Sequence, residues 1–413
     1  MSERLARLDA ALDARRDDLV ALAGALVGAD SQIPPHADER AVAALLRERL
    51  AALGLPPGEM LHDDPARPSV VTRIAGAGGG PHLLLNGHLD TKPAGDRAAW
   101  ASDPHVASVR DGDLHGLGSA DMKGALAAMA IAAAALRDAG LRLRGDLVLA
   151  FVADEEAGGR WGARAVAERL GPVDACLIGE PSGWTRDWEA LHLVSRGSCC
   201  FRVRVRGTQT HSSLADRLPV VNAAAKAAEL MVAIGDELEL DHRAHPLDGS
   251  GPLLNVGVLL HGGVWFGVVP GQAEFGCDLR TVPGMTRAAV HGALERWLER
   301  RRARDPRLDA ELILEPGLEW VPGSEIDAGH PLVAAAQAAA ADVLGAAPPL
   351  AVFPGTTDAP WFDRAGIPTI PSFGPGVLTR CHAPNERVGV ERLHEAARIY
   401  ARTALGYCGL ADA

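Results

Sequence analysis

The chain has 413 residues, more than a single hydrophobic core usually holds, so its length predicts two domains. Its formal net charge is -12 and only 4% of its residues are aromatic. This composition provides neither a basic surface for phosphates nor aromatic platforms for unpaired bases, which argues against a nucleic-acid partner.

No apolar run approaches the length of about 18 residues that a membrane-spanning helix needs, and the N-terminus does not resemble a signal peptide. The six cysteines show no CxxC spacing. We therefore expect a cytoplasmic enzyme with reduced cysteines and no membrane partner.

The first part of the chain alternates predicted helices with short apolar strands. Leucines at helical spacing begin this series, and glycines end several of its helices. The predicted helices cover 3–27, 39–53 and 122–139, and the predicted strands cover 69–75, 82–88, 146–153 and 174–179. This alternation is typical of an α/β sheet covered by helices.

The pattern changes near residue 190. In the segment 200–207, apolar residues alternate with arginines, which predicts a strand with one face in water. The segments that follow predict a β-α-β-β-α-β order, with helices at 219–234 and 286–303 and strands at 253–260, 272–280 and 309–315. This order is typical of a ferredoxin-like α+β domain.

The first pattern then returns. Helices are predicted at 331–344 and 390–406, with strands near 349–354 and 367–373. We therefore predict an α/β fold with a three-layer catalytic domain, built on a mixed, mostly parallel sheet, and an inserted ferredoxin-like lid domain. The catalytic domain is expected at 1–189 and 319–413, and the lid at 190–318.

Acidic and imidazole side chains follow the predicted apolar strands of the catalytic domain. In open α/β sheets, ligands bind at the carboxyl ends of the strands. The residues at these ends are His88, Asp90, Asp154, Glu155, Glu156, Glu180 and His382. Each one alone is explained as well by a solvated turn or a hydrogen-bonded histidine. Together they would repel one another unless a cation neutralises them, so the set predicts a metal centre.

The segment HGLGSADMKG at 115–124 has two readings. It opens a predicted helix and half resembles a dinucleotide-binding loop. However, Asp121 stands where the third glycine of such a loop belongs, and no acidic residue follows at the proper distance. We therefore expect Asp121 to direct its carboxylate into the metal cleft.

With these motifs in view, the chain resembles the dinuclear zinc amidohydrolases that include acetylornithine deacetylase, succinyl-diaminopimelate desuccinylase, aminoacylase and glutamate carboxypeptidase. The resemblance spans nearly the whole chain, and its motifs occur in the family's order. They are GHLDT, GLGSADMKG, DEEAGG, IGEPSG, THSS, DLRTVPG, PGTTDAPWF and CHAPNE.

The resemblance implies a dinuclear metal site. Asp121 would bridge two divalent ions, Glu156 and His382 would complete one site, and His88 and Glu180 would complete the other. Zinc is the expected metal, with cobalt and manganese as alternatives, because mixed carboxylate and imidazole ligands suit all three.

Two further carboxylates have implied roles in catalysis. Glu155 would be the base that activates a metal-bridging water. Its side chain should point in a different direction from that of Glu156, because the two residues are neighbours at the end of a strand. Asp90 would hold the ring of His88 in place, as metal-bound imidazoles commonly require.

The resemblance also implies substrate contacts from His211, Arg280, Gly355 and Thr356, and a homodimer formed through the lid. A hydrogen-bonded loop histidine is the alternative for His211, and an ordinary salt bridge is the alternative for Arg280. Trp265 and Trp361 are expected either to line the substrate site or to pack in a core.

The expected function is hydrolysis of the amide bond of a small N-acylated amino acid or amine. The alternatives are a dipeptidase, a carboxypeptidase or a deformylase with the same centre, and an inactive homologue that acts as a binding protein. Two departures from the family pattern bear on the substrate. Gly267 replaces an asparagine of the lid, and Glu315 and Glu319 stand where the carboxypeptidase branch has an arginine. These two glutamates favour a substrate with a cationic amine half.

Overall fold

The computed structural model describes residues 2–411, with the side chains of residues 3–411. The chain forms two compact units. The second unit consists of residues 196–323 together with 354–356, and the first unit contains the rest of the described chain. The second unit therefore begins and ends a few residues later than the predicted lid at 190–318.

The first unit is built from helices and short strands in alternation. Its helices are α1 (Ser2–Ala14), α2 (Arg16–Gly28), α3 (Arg40–Ala52), α4 (Gly124–Asp138), α5 (Ala163–Ala167), α8 (Pro331–Leu344), α9 (Ala359–Arg364) and α10 (Val390–Cys408). Its strands are β1 (Glu59–Leu61), β2 (Ser69–Ile74), β3 (Leu83–His88), β4 (Ser108–Arg110), β5 (Asp113–His115), β6 (Leu147–Val152), β7 (Ala175–Ile178), β8 (Pro181–Gly183), β9 (Leu191–Ser195), β16 (Ser324–Glu325), β17 (Leu350–Phe353), β18 (Thr369–Ile370), β19 (Gly374–Val377) and β20 (Arg387–Gly389).

A six-stranded sheet forms the centre of this unit, in the order β1-β2-β6-β3-β7-β18. The four strands from β6 to β18 are parallel, whereas β2 is antiparallel to both of its neighbours. Every residue of β3 and β6 is buried, which explains why β6 is a continuous apolar run and why β3 begins with three leucines. The predicted α/β fold with a mixed, mostly parallel sheet is confirmed.

Helix α4 is the buried helix of this unit. It contacts α1, α2 and α10 as well as strands β3 and β6. Its side chains lie so close to β3 that a Cβ atom at Gly87 would lie 2.5 Å from Leu126. The stretch Ser119–Asp138 is long and apolar enough to cross a membrane, which corrects the expectation that no run approaches that length. The whole window that meets this criterion is buried inside the protein, and its alanines permit the close packing.

The N-terminal region contains two helices instead of the single helix predicted at 3–27. The helices α1 and α2 are separated at Arg15, whose side chain pairs with Asp18 and Asp138. The buried leucines of the two helices are Leu8, Leu12, Leu19, Leu22 and Leu26. The break therefore lets each helix pack its apolar face on the core, which the leucine spacing alone does not specify.

The boundary at residue 190 was also placed too early. Strand β9 pairs in parallel with β17 and in antiparallel fashion with β16, all within the first unit. Residues up to Ser195 therefore belong to the first unit. This pairing joins segments far apart in sequence and has no local signal.

The second unit has the predicted β-α-β-β-α-β order. Its elements are β10 (Gly197–Arg206), β11 (Thr210–His211), α6 (Ala223–Glu237), β12 (Leu253–Gly262), β13 (Val268–Val269), β14 (Gln272–Thr281), α7 (Arg287–Arg304) and β15 (Asp309–Leu314). The antiparallel sheet has the order β12-β14-β10-β15, which is the ferredoxin-like arrangement. Helix α6 begins at residue 223 instead of 219 because Asn222 caps it by accepting a bond from the Ala225 amide.

Candidate metal centre

His88 ends the buried strand β3 and is itself buried. Its Nε2 atom lies 3.0 Å from Oδ1 of Asp121 and 3.5 Å from Oε1 of Glu180. Its Nδ1 atom lies 2.9 Å from the backbone carbonyl oxygen of Asp90 and 3.8 Å from the Asp90 carboxylate. The carbonyl contact fixes the ring so that Nε2 faces the two carboxylates.

Asp121 lies in an irregular turn just before α4. Asp121 and Met122 have non-helical backbone angles, and the peptide bond between them is cis. The two oxygens of the Asp121 carboxylate face different histidines. Oδ1 lies 3.0 Å from His88, and Oδ2 lies 3.3 Å from Nε2 of His382. Asp121 is thus shared between two groups of side chains.

Two groups of potential metal ligands result. The first contains His88, Asp121 and Glu180, and the second contains Asp121, Glu156 and His382. Within each group, one ligand atom from every residue lies within 4.8 Å of the others. The five side chains come from the ends of β3, β6 and β7, from the turn before α4 and from the loop before β20. The structure therefore brings together all five residues that the sequence analysis proposed as ligands.

Burial makes these charges depend on one another. Burial raises the pKa of Glu180 well above its ordinary value, and the charge of Asp121 adds to this rise. Burial would also raise the pKa of Asp121, but hydrogen bonds with His382 and His88 hold it below its ordinary value. Burial would lower the pKa of His382, yet the charge of Glu156 and the bond to Asp121 raise it to about 11. The carboxylates thus require positive charge beside them.

The donor set fits divalent metal ions. Imidazole nitrogens and carboxylate oxygens are the ligands that zinc, cobalt and manganese take in proteins, and each group offers one imidazole and two carboxylates. A divalent ion in each group would supply the positive charge that the buried carboxylates lack. Both groups can therefore hold a metal ion, and the shared Asp121 would bridge the two ions.

Glu155 belongs to neither group. It is partly exposed, whereas Glu156 beside it is buried. The pKa of Glu155 is raised to about 7. Burial is the main cause and the charge of Glu156 adds to the rise, whereas the charges of His88 and Lys92 oppose it. A carboxylate with such a pKa, next to a pair of metal-binding groups, can accept and return a proton near neutral pH.

The carboxylate of Asp90 holds the backbone that carries Glu155 and Glu156. It accepts hydrogen bonds from the Glu155 amide at 3.2 Å and the Glu156 amide at 3.0 Å. The sequence analysis assigned Asp90 to the His88 ring, and the nearer contact to that ring is the Asp90 carbonyl. The position of Asp90 thus affects three residues of the centre.

Sequence reasoning missed the arginine and the glutamate behind Asp90. The Arg67 guanidinium bonds to the carboxylate of Glu39 through two nitrogens and pairs with Asp154 at 3.0 Å. It also lies 3.9 Å from Asp90, and all four side chains are buried. Glu39 and Arg67 lie in regions of the sequence without a recognisable motif, so no sequence signal indicates this network.

Lys92 was also missed, although it directly follows the quoted motif GHLDT. Its ammonium lies 3.1 Å from Oε2 of Glu156 and also donates a hydrogen bond to the backbone carbonyl of Glu156. This lysine places a positive charge against the second ligand group only. A sequence signal existed, because a lysine four residues after His88 lies close to any site that His88 builds.

The expected substrate contacts lie in the second unit. Arg280 donates a hydrogen bond to the hydroxyl of Thr356 at 3.1 Å, and it pairs with Asp278 at 2.8 Å. The Gly355 carbonyl accepts a bond from the Arg196 amide. His211 is exposed, and its Nδ1 atom contacts the hydroxyl of Ser213 at 2.8 Å. Both alternatives from the sequence, a salt bridge for Arg280 and a hydrogen-bonded loop histidine, are therefore present.

Two other expectations about the substrate have structural outcomes. The side chain of Trp265 is 77% exposed, so core packing does not explain this residue. Glu315 pairs with Arg202 at 2.9 Å, and Glu319 accepts a bond from the Gly317 amide. Because both glutamates already have partners, they provide little support for a substrate with a cationic amine half.

Comparison with known proteins gives a match over most of the chain. The model of the family described as peptidase family M20/M25/M40 matches residues 84–406. A succinyl-diaminopimelate desuccinylase from Alkalilimnicola ehrlichii is 34% identical over 327 residues, which are 78% of this chain and 82% of that protein.

Two more relatives extend this comparison. An N-formyl-4-amino-5-aminomethyl-2-methylpyrimidine deformylase from Bacillus subtilis is 24% identical over 433 residues and 99% of both chains. Among solved structures, the YXEP protein of Bacillus subtilis is described as a dinuclear metal-binding peptidase of the M20 family. It shares 20% identity and a TM-score of 0.66, over 95% of this chain and 98% of that chain.

Proposed function

The chain belongs to peptidase family M20/M25/M40, and from this premise we propose that it hydrolyses the amide bond of a small N-acylated amino acid or amine. One observation carries the proposal: two groups of potential metal ligands share Asp121, and Glu155 adjoins Glu156 of the second group. The names of its relatives support it, since one removes a succinyl group and another a formyl group from nitrogen. The dinuclear description of the YXEP protein supports two metal ions.

Five residues would hold these ions. His88 and Glu180 would bind one, Glu156 and His382 the other, and Asp121 both. We propose zinc as the native metal, because its preferred ligands match this set. Bound divalent ions would polarise the amide carbonyl and lower the pKa of the attacking water.

Glu155 is the proposed base. Its carboxylate takes a proton from the water while the oxygen attacks the carbonyl carbon of the substrate. The same carboxylate then returns the proton to the nitrogen as the carbon–nitrogen bond breaks, so the products are a carboxylic acid and a free amine. Asp90 maintains the position of Glu155 through its bond to the Glu155 amide.

The test begins with the metal content and activity of the purified protein. We expect two divalent ions per chain and release of amine from at least one of the N-acetyl, N-formyl and N-succinyl substrates. A chelator should abolish turnover, and added zinc, cobalt or manganese should restore it. A protein that binds no divalent ion when supplied in excess would contradict the proposal.

Glu155→Gln separates binding from chemistry. The variant should keep both ions, since Glu155 belongs to neither ligand group, and lose about 10²- to 10⁴-fold in kcat. Glu168→Gln is the matched control, because it neutralises a glutamate that lies beyond α5. Full activity in Glu155→Gln would mean that another group is the base.

A peptidase is the second candidate function. The YXEP protein is described as a peptidase, and the same centre can act on any polarisable carbonyl. Faster cleavage of dipeptides than of N-acyl amino acids would favour this alternative. An inactive binding protein is disfavoured because all five ligands and Glu155 are present.

We propose that the second unit provides substrate contacts and a dimer interface. Arg280, Thr356, Gly355 and His211 are the proposed contacts, as the family resemblance implies. Strand β12 supports the dimer, because it forms an edge of its sheet and leaves Leu260 62% exposed. Sedimentation should give a dimer, and Leu260→Lys should weaken it.

A cytoplasmic location completes the proposal. Within the described residues none of the six cysteines forms a disulfide, and five of them are buried, as expected of a protein from a reducing compartment. Fractionation of the source cells should recover the protein with the cytoplasmic marker.

A further inference from the structure

We propose that Glu386 is a positioning residue whose carboxylate holds the backbone turn from which Asp121 reaches both ligand groups. This inference rests on the proposed function, because it concerns the shared ligand of the same centre. Glu386 is the last residue of the motif CHAPNE, and none of the roles described above involves its side chain.

Three backbone amides bond to the Glu386 carboxylate. The Gly118 amide donates to Oε2 at 2.9 Å, and the amides of Ala120 and Asp121 donate to Oε1 at 2.9 and 3.0 Å. Glu386 is only 1% exposed. Among the described residues, no lysine or arginine forms an ion pair with it, so the three amides are its direct partners, and the charge of Lys123 adds a favourable interaction from farther away.

The turn needs an acceptor outside itself. The Ser119 amide bonds to the Gly116 carbonyl and the Lys123 amide to the Gly118 carbonyl, so these two groups find partners within the turn. The non-helical backbone of Asp121 interrupts the helical bonding pattern. The amides of Gly118, Ala120 and Asp121 instead bond to Glu386, and hydrogen bonds to a charged acceptor are stronger than those to a carbonyl.

Glu386 is itself fixed by the backbone. Its carbonyl accepts a bond from the Gly116 amide at 3.0 Å, and the next residue begins β20, which pairs with β5. His382 lies in the same loop, four residues before Glu386. One loop therefore delivers a metal ligand and the group that holds the turn of the shared ligand.

This arrangement sets the position of Asp121 relative to both histidines. Oδ1 and Oδ2 of Asp121 lie 3.0 Å from His88 and 3.3 Å from His382. A turn without its anchor would move both oxygens at once. Loss of Glu386 should therefore weaken the binding of both metal ions, whereas loss of a ligand that belongs to one group should weaken the binding of one ion only.

The experiment compares metal affinity with folding in Glu386→Gln, Glu386→Ala and wild type. Affinity for the two ions is measured by competition with a chelator, and ligand geometry by the visible spectrum of the cobalt-substituted protein. The melting temperature of the metal-free protein reports folding. Glu395→Gln is the control, because Glu395 also lies in the first unit, has a side chain that is only 16% exposed, and accepts a bond from Trp188.

We expect Glu386→Gln to lower the affinity for both ions by about 10-fold and to change the cobalt spectrum. The side-chain amide of this glutamine has one oxygen that can still accept a hydrogen bond, but its NH2 group lies against a backbone N–H group, which is also a donor. The metal-free melting temperature should stay close to that of Glu395→Gln. Glu386→Ala should lose about 100-fold if it folds, and the isosteric glutamine variant carries the test if it does not.

Two results would overturn the inference. One is a Glu386→Gln protein with wild-type affinity and spectrum. The other is a Glu386→Gln protein that loses no more metal affinity than Glu395→Gln does when both variants show the same drop in melting temperature. Either result leaves the proposed function intact as long as the wild type binds two ions, whereas a wild type that binds none contradicts the proposed function itself.

Discussion

The two ligand groups share Asp121 but differ in burial and in charge. In the first group, His88 and Glu180 are both less than 5% exposed. In the second group, the side chain of His382 is 47% exposed, and Lys92 lies against Glu156. The first group is therefore closed and acidic, whereas the second is open and partly neutralised. We infer that an ion in the first group is held more tightly and that an ion in the second exchanges more readily.

The largest loss of metal and of activity is expected on substitution of Asp121, the residue that the two ligand groups share. Asp121→Ala removes a ligand from both, so the purified variant should contain neither ion and lose about 10³-fold or more in kcat. Metal analysis and a deacylation assay measure the two effects. Asp103→Ala is the control, because Asp103 is exposed and pairs with Arg97. A variant that retains both ions would mean that Asp121 is not shared.

The next test separates the groups. His382→Ala should retain about one ion per chain after dialysis, because the closed group stays complete, whereas His88→Ala should lose the tightly held ion. Thermal unfolding adds a second measure, since an ion at one hundred times its Kd stabilises the folded state by about 2.7 kcal/mol. Equal retention in both variants would remove the distinction between the groups.

The smallest effect concerns Lys92. Its ammonium repels a cation bound by Glu156, so Lys92→Met should tighten the weaker site by about 10-fold, or about 1.4 kcal/mol, and leave the other unchanged. Chelator competition resolves the two affinities. Lys226→Met is the control, because this lysine lies in the second unit and pairs with Glu229 and Asp305. A tightening of both sites would show that the charge acts on the centre as a whole.

The ligands could be predicted from the sequence because each follows a strand end or opens a helix, and the alternation of elements indicates where those ends meet. The groups that support them could not. Arg67 and Glu39 are an ordinary arginine and glutamate until the fold buries them together. Glu386 stood in a recognised motif, but its three amide partners lie more than 260 residues earlier.

The fold shows the same limit. Apart from β1, the strands of the central sheet and the order of the second unit follow from periodicity within short windows. The boundary near residue 190 depends on the pairing of β9 with β17, which lies about 160 residues later. The break at Arg15 depends on the surface of α4, on which both flanking helices pack. Such features follow from tertiary contacts, and local patterns do not contain them.

The order of the chain has a consequence for biosynthesis. The second unit is almost one continuous segment, so it can emerge from the ribosome while the last part of the first unit is still being translated. His382 and Glu386 are translated after the second unit. Until then Asp121 has neither its second histidine nor the anchor of its turn. The nascent protein therefore cannot assemble the shared site early, and truncation before residue 382 should yield a chain unable to retain two ions.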